Sequence, residues 1–378
     1  MINEDPFASP INTKENVIGP KLIAVGGGKG GVGKTVVAAS LGLGLAMMKR
    51  RVVLVDADLG GANLHTVFGV SKPEATFFNL VEDRAARLED LAVPHPEFEN
   101  LKCVFGAQGS LAVSNLRNPV RMKILSQLRT LDADFVILDL GAGSSSTVLD
   151  FFISADYSIV MMNPDPLSIL ESYNFIKLAL FQKLIEALHQ SPAALKRVTA
   201  YADAETNRRF TTVSDLEKEV ARAEQGAEKT VRKTVNAFHP LLLMNKRVQP
   251  EDENHGLSVK VAAGELLSLA TGFLGSIRRD ETVLKSLEAG VPFIQFDPKC
   301  EASRDLANLI IVKILYQGKI KALIEKTRLS RQAPRLDMPQ KATICSIRCF
   351  FWEECDYKSG GFACRLHHLS SINGFNQR

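Results

Sequence analysis

Short apolar runs rich in β-branched residues alternate along this chain with longer segments that have a helical pattern. Eight runs read as strands: "KLIAV", "RVVLVD", "NLKCVFGA", "DFVILDL", "YSIVMMN", "HPLLLMN", "TGFLGSI" and "VPFIQF". Near-continuous apolar strands separated by helices are typical of a mostly parallel sheet covered on both faces. The pattern therefore predicts one doubly wound α/β domain over residues 21–318.

Four segments depart from this alternation. Residues 1–20 are polar and contain three prolines, so we expect a flexible leader. Residues 201–236 are charged and helix-prone, which favours a solvated helical insertion, although an element that docks a partner fits the same pattern. Residues 319–342 form a basic helical extension and linker, which either stays solvated or lies on an anionic membrane surface. Residues 343–378 form a tail of distinct composition.

Composition describes an ordinary globular protein. The chain has 378 residues, of which 46% are hydrophobic and 23% charged, with a net charge of +4. So small a net charge does not indicate direct nucleic-acid binding, and it does not exclude a peripheral contact with an anionic membrane. Neither an apolar signal segment nor a run long enough to span a membrane is apparent, so we expect a cytoplasmic protein with reduced thiols.

The clearest chemical signal is a glycine-rich loop between the first strand and the following helical segment. It matches the pattern GxxxxGK[ST] with Gly28, Lys29, Gly30, Gly31, Val32, Gly33, Lys34 and Thr35. Glycines let successive N–H groups turn toward a phosphate, and the helix that follows offers its positive end. In such a loop Lys34 reaches the β- and γ-phosphates and the Thr35 hydroxyl holds Mg²⁺. The loop predicts nucleoside triphosphate binding.

Lys29, which precedes the usual P-loop lysine in this loop, makes the motif similar to that of a known family. "KGGVGKT" resembles the deviant Walker A motif of the MinD/ParA superfamily of ATPases. The resemblance implies that Lys29 reaches into the nucleotide site of a second copy, so that ATP drives homodimerisation and the added cation stabilises the transition state. A surface lysine that merely solvates the loop is the rival interpretation.

Two further segments resemble the same superfamily. "VVLVDADLGGANLHTVFG" is similar to its switch I, which implies that Asp58 positions the attacking water; aspartates that only cap a turn are the alternative. "DFVILDLGAG" is similar to its Walker B strand and switch II, and implies that Asp139 supports Mg²⁺ and that Gly141 senses the γ-phosphate. With Thr35 and the strand-end Asp56, Asp139 completes the predicted magnesium set.

The later part of the chain continues the resemblance. "LLLMNK" places Asn245 where the family reads adenine, although an asparagine after a strand is often a plain turn residue. "VPFIQFDPKCEASRDLANLI" resembles the last strand and helix of the fold. Within the superfamily the chain looks most similar to flagellar-number regulators of the FlhG/FleN type. That likeness implies a switch, with a protein regulator or effector, that controls the placement or number of a cellular structure.

Cysteines crowd into the tail. Cys345, Cys349, Cys355 and Cys364 follow a C-x3-C-x5-C-x8-C spacing, with His367 and His368 close behind. Reduced thiols at this density could hold zinc or an iron–sulfur cluster, and they could also remain unliganded or form a regulatory disulfide. Cys103 and Cys300 are expected to be small core or loop residues.

Three other functions compete with the ATP-dependent switch. The tail favours an iron–sulfur carrier or electron-transfer ATPase, similar to the Mrp-type and nitrogenase-iron-protein branches of the superfamily, but no C-x2-C pair occurs. A P-loop kinase or amide-forming synthetase would share the fold, yet no acceptor-binding motif is visible. A nucleotide-binding module without turnover conflicts with the intact set of Lys29, Lys34, Asp58 and Asp139.

Overall fold

The computed structural model of the chain describes residues 19–83, 85–106, 116, 118–202 and 212–315. The predicted flexible leader, except for its last two residues, lies outside these ranges, as do the basic extension and the cysteine-rich tail. The described part contains an eight-stranded sheet with helices on both faces, which confirms the predicted fold class.

The strands follow one another in the order β3-β4-β2-β5-β1-β6-β7-β8 across the sheet. They are β1 Lys21–Gly26, β2 Val52–Ala57, β3 Val93–Pro94, β4 Leu101–Val104, β5 Phe135–Leu140, β6 Tyr157–Met162, β7 Leu241–Arg247 and β8 Gly272–Arg278. Every neighbouring pair is parallel except β3 with β4. The carboxyl ends of the seven parallel strands therefore lie along one edge, where sheets of this kind bind ligands.

The helices connect these strands and cover the sheet. They are α1 Lys34–Met47, α2 Leu64–Val67, α3 Asn79–Glu82, α4 Asn118–Leu128, α5 Ser146–Ser154, α6 Pro166–Ala187, α7 Pro192–Ala202, α8 Val213–Ala223, α9 Ala227–Ala237, α10 Glu253–Leu267, α11 Glu281–Glu288, α12 Phe293–Phe296 and α13 Glu301–Leu309. Short 3-10 helices span Leu88–Leu91 and Pro250–Asp252, and a π-helix spans Ile310–Leu315.

Two hydrophobic cores explain why the strands are apolar along their whole length. On β1, Leu22 and Ala24 face the core formed with α5 and α6, whereas Ile23 and Val25 face the core formed with α1 and α13. Successive side chains of a strand point to opposite faces, so a strand covered on both sides needs no polar positions. This burial fixes the central strands, and with them the loops at their carboxyl ends.

One predicted strand was wrong and one strand was missed. "VPFIQF" forms helix α12, in which the consecutive residues Phe293 and Ile294 are buried and Phe296 is exposed. A short apolar run without alternation fits a strand buried on both faces as well as a buried turn of helix, so the sequence alone does not distinguish the two structures. The missed strand β3 has two residues at the sheet edge and pairs antiparallel with β4.

The charged segment that precedes β7 contains α8, which packs against α7, and α9, which packs against α6 and α8. Each presents a narrow apolar face, with Leu216 and Val220 buried on α8 and Val231 and Val235 on α9. The charged residues lie on the opposite faces, where Arg232 pairs with Glu217. Residues 203–211 of the predicted insertion are outside the described ranges.

Candidate functional site

The glycine-rich loop leads from β1 into α1 at the ligand edge of the sheet. Gly31 and Gly33 have positive φ values of 75° and 94°, a conformation that other residues adopt only with strain. A Cβ atom on Gly28 would lie 2.6 Å from the carbonyl oxygen of Glu171. The first turn of α1 contains no acidic residue, so nothing in that turn neutralises the positive end of the helix. Loop and helix together form a cradle for an anion.

The two lysines of the loop lie in different environments. Lys34 is buried, and its Nζ donates a hydrogen bond to the carbonyl oxygen of Lys29 at 3.3 Å. Burial lowers the pKa of Lys34, whereas the carboxylates of Asp139 and Asp58 act in the opposite direction. The Lys29 side chain is 32% exposed, and its Nζ lies 2.8 Å from Oδ1 of Asp165 at the start of α6. The loop therefore has one buried lysine, Lys34, and one partly exposed lysine, Lys29.

Two carboxylates face each other where β2 and β5 end. Asp56 and Asp139 are register partners on these strands, and both are fully buried. Asp56 accepts hydrogen bonds from the N–H groups of Asp58 (3.2 Å) and Leu64 (3.1 Å). Neither oxygen of Asp139 receives a well-aligned hydrogen bond from the described residues. Burial raises the pKa of Asp56 to about 6 and that of Asp139 well above its ordinary value, to which the nearby Asp56 adds.

An unsatisfied buried carboxylate of this kind fits a cation. Mg²⁺ is usually held by one or two carboxylates, a hydroxyl, water and substrate phosphates, and it needs no larger cluster of protein ligands. Thr35 is the second residue of α1, and its hydroxyl is close enough to lower the pKa of Asp139. The structure thus brings the three predicted magnesium residues, Thr35, Asp56 and Asp139, together beside the anion cradle.

The predicted water-positioning residue lies at the mouth of this cradle. Asp58 is half-buried, and its Oδ1 accepts hydrogen bonds from the N–H groups of Gly60 (3.2 Å) and Gly61 (2.9 Å). A Cβ atom on Gly141, in the turn after β5, would lie 2.9 Å from the same oxygen. The two segments predicted as switches therefore touch each other through the Asp58 carboxylate.

The end of β7 contacts the outer side of the loop. The Nδ2 atom of Asn245 donates to the carbonyl oxygen of Val32 at 2.8 Å, and the Nζ atom of Lys246 donates to that of Gly31 at 2.9 Å. Lys246 has a positive φ of 56°. Two consecutive side chains thus hold two consecutive carbonyl groups, and Asn245 is positioned between the loop and the end of the sheet. Its predicted contact with adenine stays a prediction.

Comparison with known proteins decides the family. Residues 23–293 match the model of the CobQ/CobB/MinD/ParA nucleotide binding domain. The chain belongs to this family. The site described above, with its glycine-rich loop, its paired strand-end carboxylates and its early lysine, lies within the part of the chain that matches this nucleotide binding domain. This confirms the resemblance drawn from the sequence.

Individual relatives agree with this assignment. Over 158 residues the chain is 33% identical to the antiactivator FleN of Pseudomonas aeruginosa, a stretch that covers 42% of this chain and 56% of FleN. The septum site-determining protein MinD of Pyrococcus horikoshii, solved in complex with Mg-ADP, superposes with a TM-score of 0.53 at 20% identity, covering 79% of this chain and 98% of that protein. A MinC:MinD complex from Aquifex aeolicus gives 0.51 at 17% identity, with 85% and 98% covered.

The structural likeness therefore shows the fold, and the sequence likeness extends over just over half of FleN. Among the described residues, no helix is long and apolar enough to cross a membrane.

The cysteines of this MinD/ParA-family chain fall into two groups. Cys345, Cys349, Cys355 and Cys364 lie outside the described residues, and so the predicted zinc or iron–sulfur site stays a prediction. Cys103 and Cys300 are buried and unbridged, as expected for small core or loop residues. The Sγ atom of Cys300 accepts a hydrogen bond from the N–H of Ser303 at 3.4 Å, and so caps the start of α13.

Sequence reasoning missed three parts of the site. Asp165 pairs with Lys29 and caps α6 by accepting from the N–H of Ser168; the "NPDP" stretch that starts this helix was a visible signal for the cap, though not for the pairing. Lys246 follows Asn245 directly but matched no motif. Arg278 at the end of β8 pairs with Asp305 on α13, and nothing in the local sequence indicates a contact so distant along the chain.

Proposed function

We propose that this chain is an ATP-binding and ATP-hydrolysing switch that forms a homodimer when ATP is bound. The observation that carries the proposal is the contrast between the two loop lysines. Lys34 lies buried beside Asp139, whereas Lys29 lies on the outside of the same loop and pairs, within the part of the chain that the structure describes, with the half-exposed Asp165 alone. A cation outside a phosphate loop can serve a second site that faces it, and such a cation stabilises charge in phosphoryl transfer.

Each residue of the cradle has a place in this function. The loop N–H groups and Lys34 would hold the phosphates, and Thr35, Asp56 and Asp139 would hold Mg²⁺, directly or through its water shell. When bound, Mg²⁺ neutralises charge on the phosphates. Asp58 would orient the water that attacks the γ-phosphate, and Lys29 of the second copy would complete the pocket. Membership of the family, in which MinD/ParA proteins are P-loop ATPases, supports this reading.

We further propose that the switch controls the placement or number of a cellular structure through a protein partner. FleN is named an antiactivator and MinD a septum site-determining protein, and a solved MinD is bound to MinC. A flagellar role follows from the FleN likeness, with the chain in the cytoplasm and able to contact the membrane peripherally. Deletion of the gene with a count of flagella per cell tests this finer proposal, and unchanged number and position would remove it.

Oligomeric state in different nucleotides tests the switch itself. Light scattering after size exclusion should give a dimer with a slowly hydrolysed ATP analogue and Mg²⁺, and a monomer with ADP. Phosphate release per chain should rise with protein concentration, because each site needs the other copy's Lys29. Lys29→Ala should abolish that rise while leaving ADP affinity within about twofold, since a cation outside the loop adds little to monomer binding.

The matched control is Lys102→Ala, which removes an exposed lysine from β4, away from the loop. It should hydrolyse ATP as the parent does. A Lys29→Ala protein with unchanged turnover, or a parent that stays monomeric in the ATP analogue, would contradict the proposal.

A further inference from the structure

Helix α5 follows directly on the segment predicted as switch II. Gly141 lies in the turn after β5, and α5 begins at Ser146 with Ser145 as its N-cap. A Cβ atom on Gly141 would lie 2.9 Å from Oδ1 of Asp58, so this turn lies against the carboxylate that is proposed to orient the attacking water. A shift of α5 would therefore move the turn relative to Asp58.

Hydrophobic burial supplies most of the contacts of α5. Its buried apolar residues belong to the core that it forms with α6, and they are Val148, Leu149, Phe151, Phe152 and Ile153. Hydrophobic burial is non-directional, whereas hydrogen bonds weaken steeply when their angles change. The apolar residues therefore hold α5 against the sheet, and polar contacts specify its rotation and its position along the axis more sharply.

Polar contacts of α5 come from residues that lie one turn apart and so on one side of the helix. Oγ1 of Thr147 accepts a hydrogen bond from the N–H of Leu116 at 3.1 Å, and the carbonyl oxygen of Ile153 accepts one from Nζ of Lys183 at 3.0 Å. Asp150 lies between these two positions, and it is 2% exposed. A carboxylate buried to this extent needs partners, because burying an unpaired charge costs free energy.

Asp150 has partners on two helices that flank α5. It forms an ion pair with Arg121 of α4, whose side chain is largely buried. Its Oδ1 accepts a hydrogen bond from Nε2 of Gln182 on α6 at 2.8 Å. Partial burial and the nearby Asp150 carboxylate raise the pKa of Glu186, one turn further along α6. Asp150 therefore joins α5 to α4 and to α6 at the same point.

We propose that Asp150 is a positioning residue for ATP hydrolysis, which ties α5 to α4 and α6 and so holds the turn that contains Gly141 against Asp58. The inference rests on the proposed function, because it takes Asp58 to orient the attacking water. Displacing a reacting group by about 1 Å can slow an enzyme a hundredfold. Loosening α5 should therefore slow the chemical step without weakening nucleotide binding.

Asp150→Asn tests the proposal with the least change of shape, because asparagine keeps an acceptor for Gln182 but loses the ion pair with Arg121. Steady-state phosphate release by the full chain is measured with Mg²⁺ at a protein concentration at which the parent is dimeric, and ADP affinity by calorimetric titration. We expect kcat to fall about tenfold, with KM and ADP affinity within about twofold of the parent. Arg121→Lys keeps the positive charge and should leave kcat within about threefold of the parent.

The matched control is Arg51→Met. It also removes an arginine from an ion pair, but this arginine contacts Asp132 and Asp134 at the opposite edge of the sheet, where β2 and β5 begin. Its kcat should stay within about twofold of the parent. Thermal unfolding of every variant separates a loss of stability from a loss of turnover.

The double variant Arg121→Met/Asp150→Asn provides the test if Asp150→Asn does not fold, because it removes both charges and leaves neither buried without its partner. In a folded double variant kcat should still be about tenfold below the parent, since α5 has lost its tie to α4. A double variant that regained the turnover of the parent would show that the pair only stabilises the fold, and would overturn the inference.

The inference would be equally overturned by an unchanged kcat in Asp150→Asn, by a loss of ADP affinity as large as the loss of kcat, or by the same loss of kcat in Arg51→Met. In each of these cases the parent still hydrolyses ATP, so the proposed function stands. A parent chain that does not hydrolyse ATP would remove the proposed function and this inference with it.

Discussion

Two edges of the site differ in how their charged groups are paired. We call the carboxyl ends of β1, β2 and β5 the phosphate edge, because the glycine-rich loop is predicted to bind phosphates there, and those of β7 and β8 the base edge, because Asn245 is predicted to contact adenine there. At the phosphate edge Asp56 and Asp139 are buried without a cationic partner in hydrogen-bond contact, and Lys34 bonds only a carbonyl group among the described residues. At the base edge Arg278 has two carboxylate partners on α13.

This difference indicates which part of the site depends on a bound ligand to compensate its buried charges. Buried charges without partners destabilise a protein, and they are tolerated where a bound ion or phosphate completes them. Charged side chains that already form ion pairs within the protein need no ligand, and their pairing only fixes the positions of the groups at the surface. We therefore expect substitutions at the phosphate edge to have large effects on binding that depend on the ligand. Substitutions at the base edge should have smaller effects on binding and should lower the stability of the free protein.

The largest expected effect is that of Lys34→Ala on nucleotide binding. Loss of a buried cation that is proposed to bond phosphate oxygens should weaken ADP binding about a hundredfold, against at most about tenfold for Arg278→Ala at the base edge. Calorimetric titration measures both, with circular dichroism to confirm that each variant is folded. If the two variants lost affinity equally, the contrast between the edges would not hold.

Gly33→Ala tests how far the phosphate edge depends on backbone conformation. The residue has a φ of 94°, and an added Cβ would lie 2.4 Å from Nδ2 of Asn245. We expect destabilisation of roughly 1–3 kcal/mol from strain, measured by urea denaturation, and at least a tenfold weaker binding of ADP.

The control for this variant is Gly264→Ala in α10, where the nearest atom to an added Cβ is 3.9 Å away. It should stabilise the protein by about 0.5–1 kcal/mol, because alanine is the better helix former. A destabilising Gly264→Ala would show that glycine replacement alone explains the first result.

Asp56→Asn tests the buried carboxylates directly. Because burial raises the pKa of Asp56 to about 6 in the folded chain, the native state binds a proton more tightly than the unfolded state. Stability of the free protein should therefore fall as the pH rises from about 4 through 6, and the loss should persist at pH 7. Asparagine cannot ionise and so removes the free-energy cost of a buried carboxylate. The ligand-free variant should therefore be more stable than the parent at pH 7 by on the order of 2 kcal/mol.

Thermal unfolding between pH 4.5 and 8 measures the difference, which should shrink toward the acid end and reverse when Mg²⁺ and ADP are added. The matching change at the base edge, Asp305→Asn, should have the opposite sign without ligand, because it takes a partner from Arg278. A stability difference for Asp56→Asn that does not vary with pH would contradict the role assigned to burial.

The two edges also differ in how much the sequence alone could predict. At the phosphate edge most of the predicted site residues lie in short continuous segments of the sequence. Gly28 to Thr35 form one loop, and the strand-end positions of Asp56 and Asp139 follow from the strand pattern because parallel strands end at one edge. The fold class and the seven parallel strands were predictable for the same reason, since buried strands carry an uninterrupted apolar signal.

At the base edge the contacts join residues far apart in the chain. Arg278 and Asp305 are 27 residues apart. No local pattern marks such a pair, and which arginine meets which carboxylate depends on how α13 packs. The same limit explains the error at "VPFIQF": the sheet ends at β8, and Phe293 and Ile294 pack into the core on the α1 side, so tertiary packing decided between helix and strand.

The smallest expected effect belongs to Lys246, which joins the two edges by donating to the Gly31 carbonyl from the end of β7. The bond is exposed and so contributes little, which predicts only a two- to threefold weaker binding of ADP for Lys246→Met. Lys246→Arg keeps a donor and should bind as the parent does. Lys246→Gly should relieve the strain of the positive φ and raise stability while losing the same affinity as the methionine variant. Release of a fluorescent ADP analogue measured by stopped flow resolves differences of this size. Equal release rates for the parent and Lys246→Met would mean that the two edges hold their parts of the nucleotide independently.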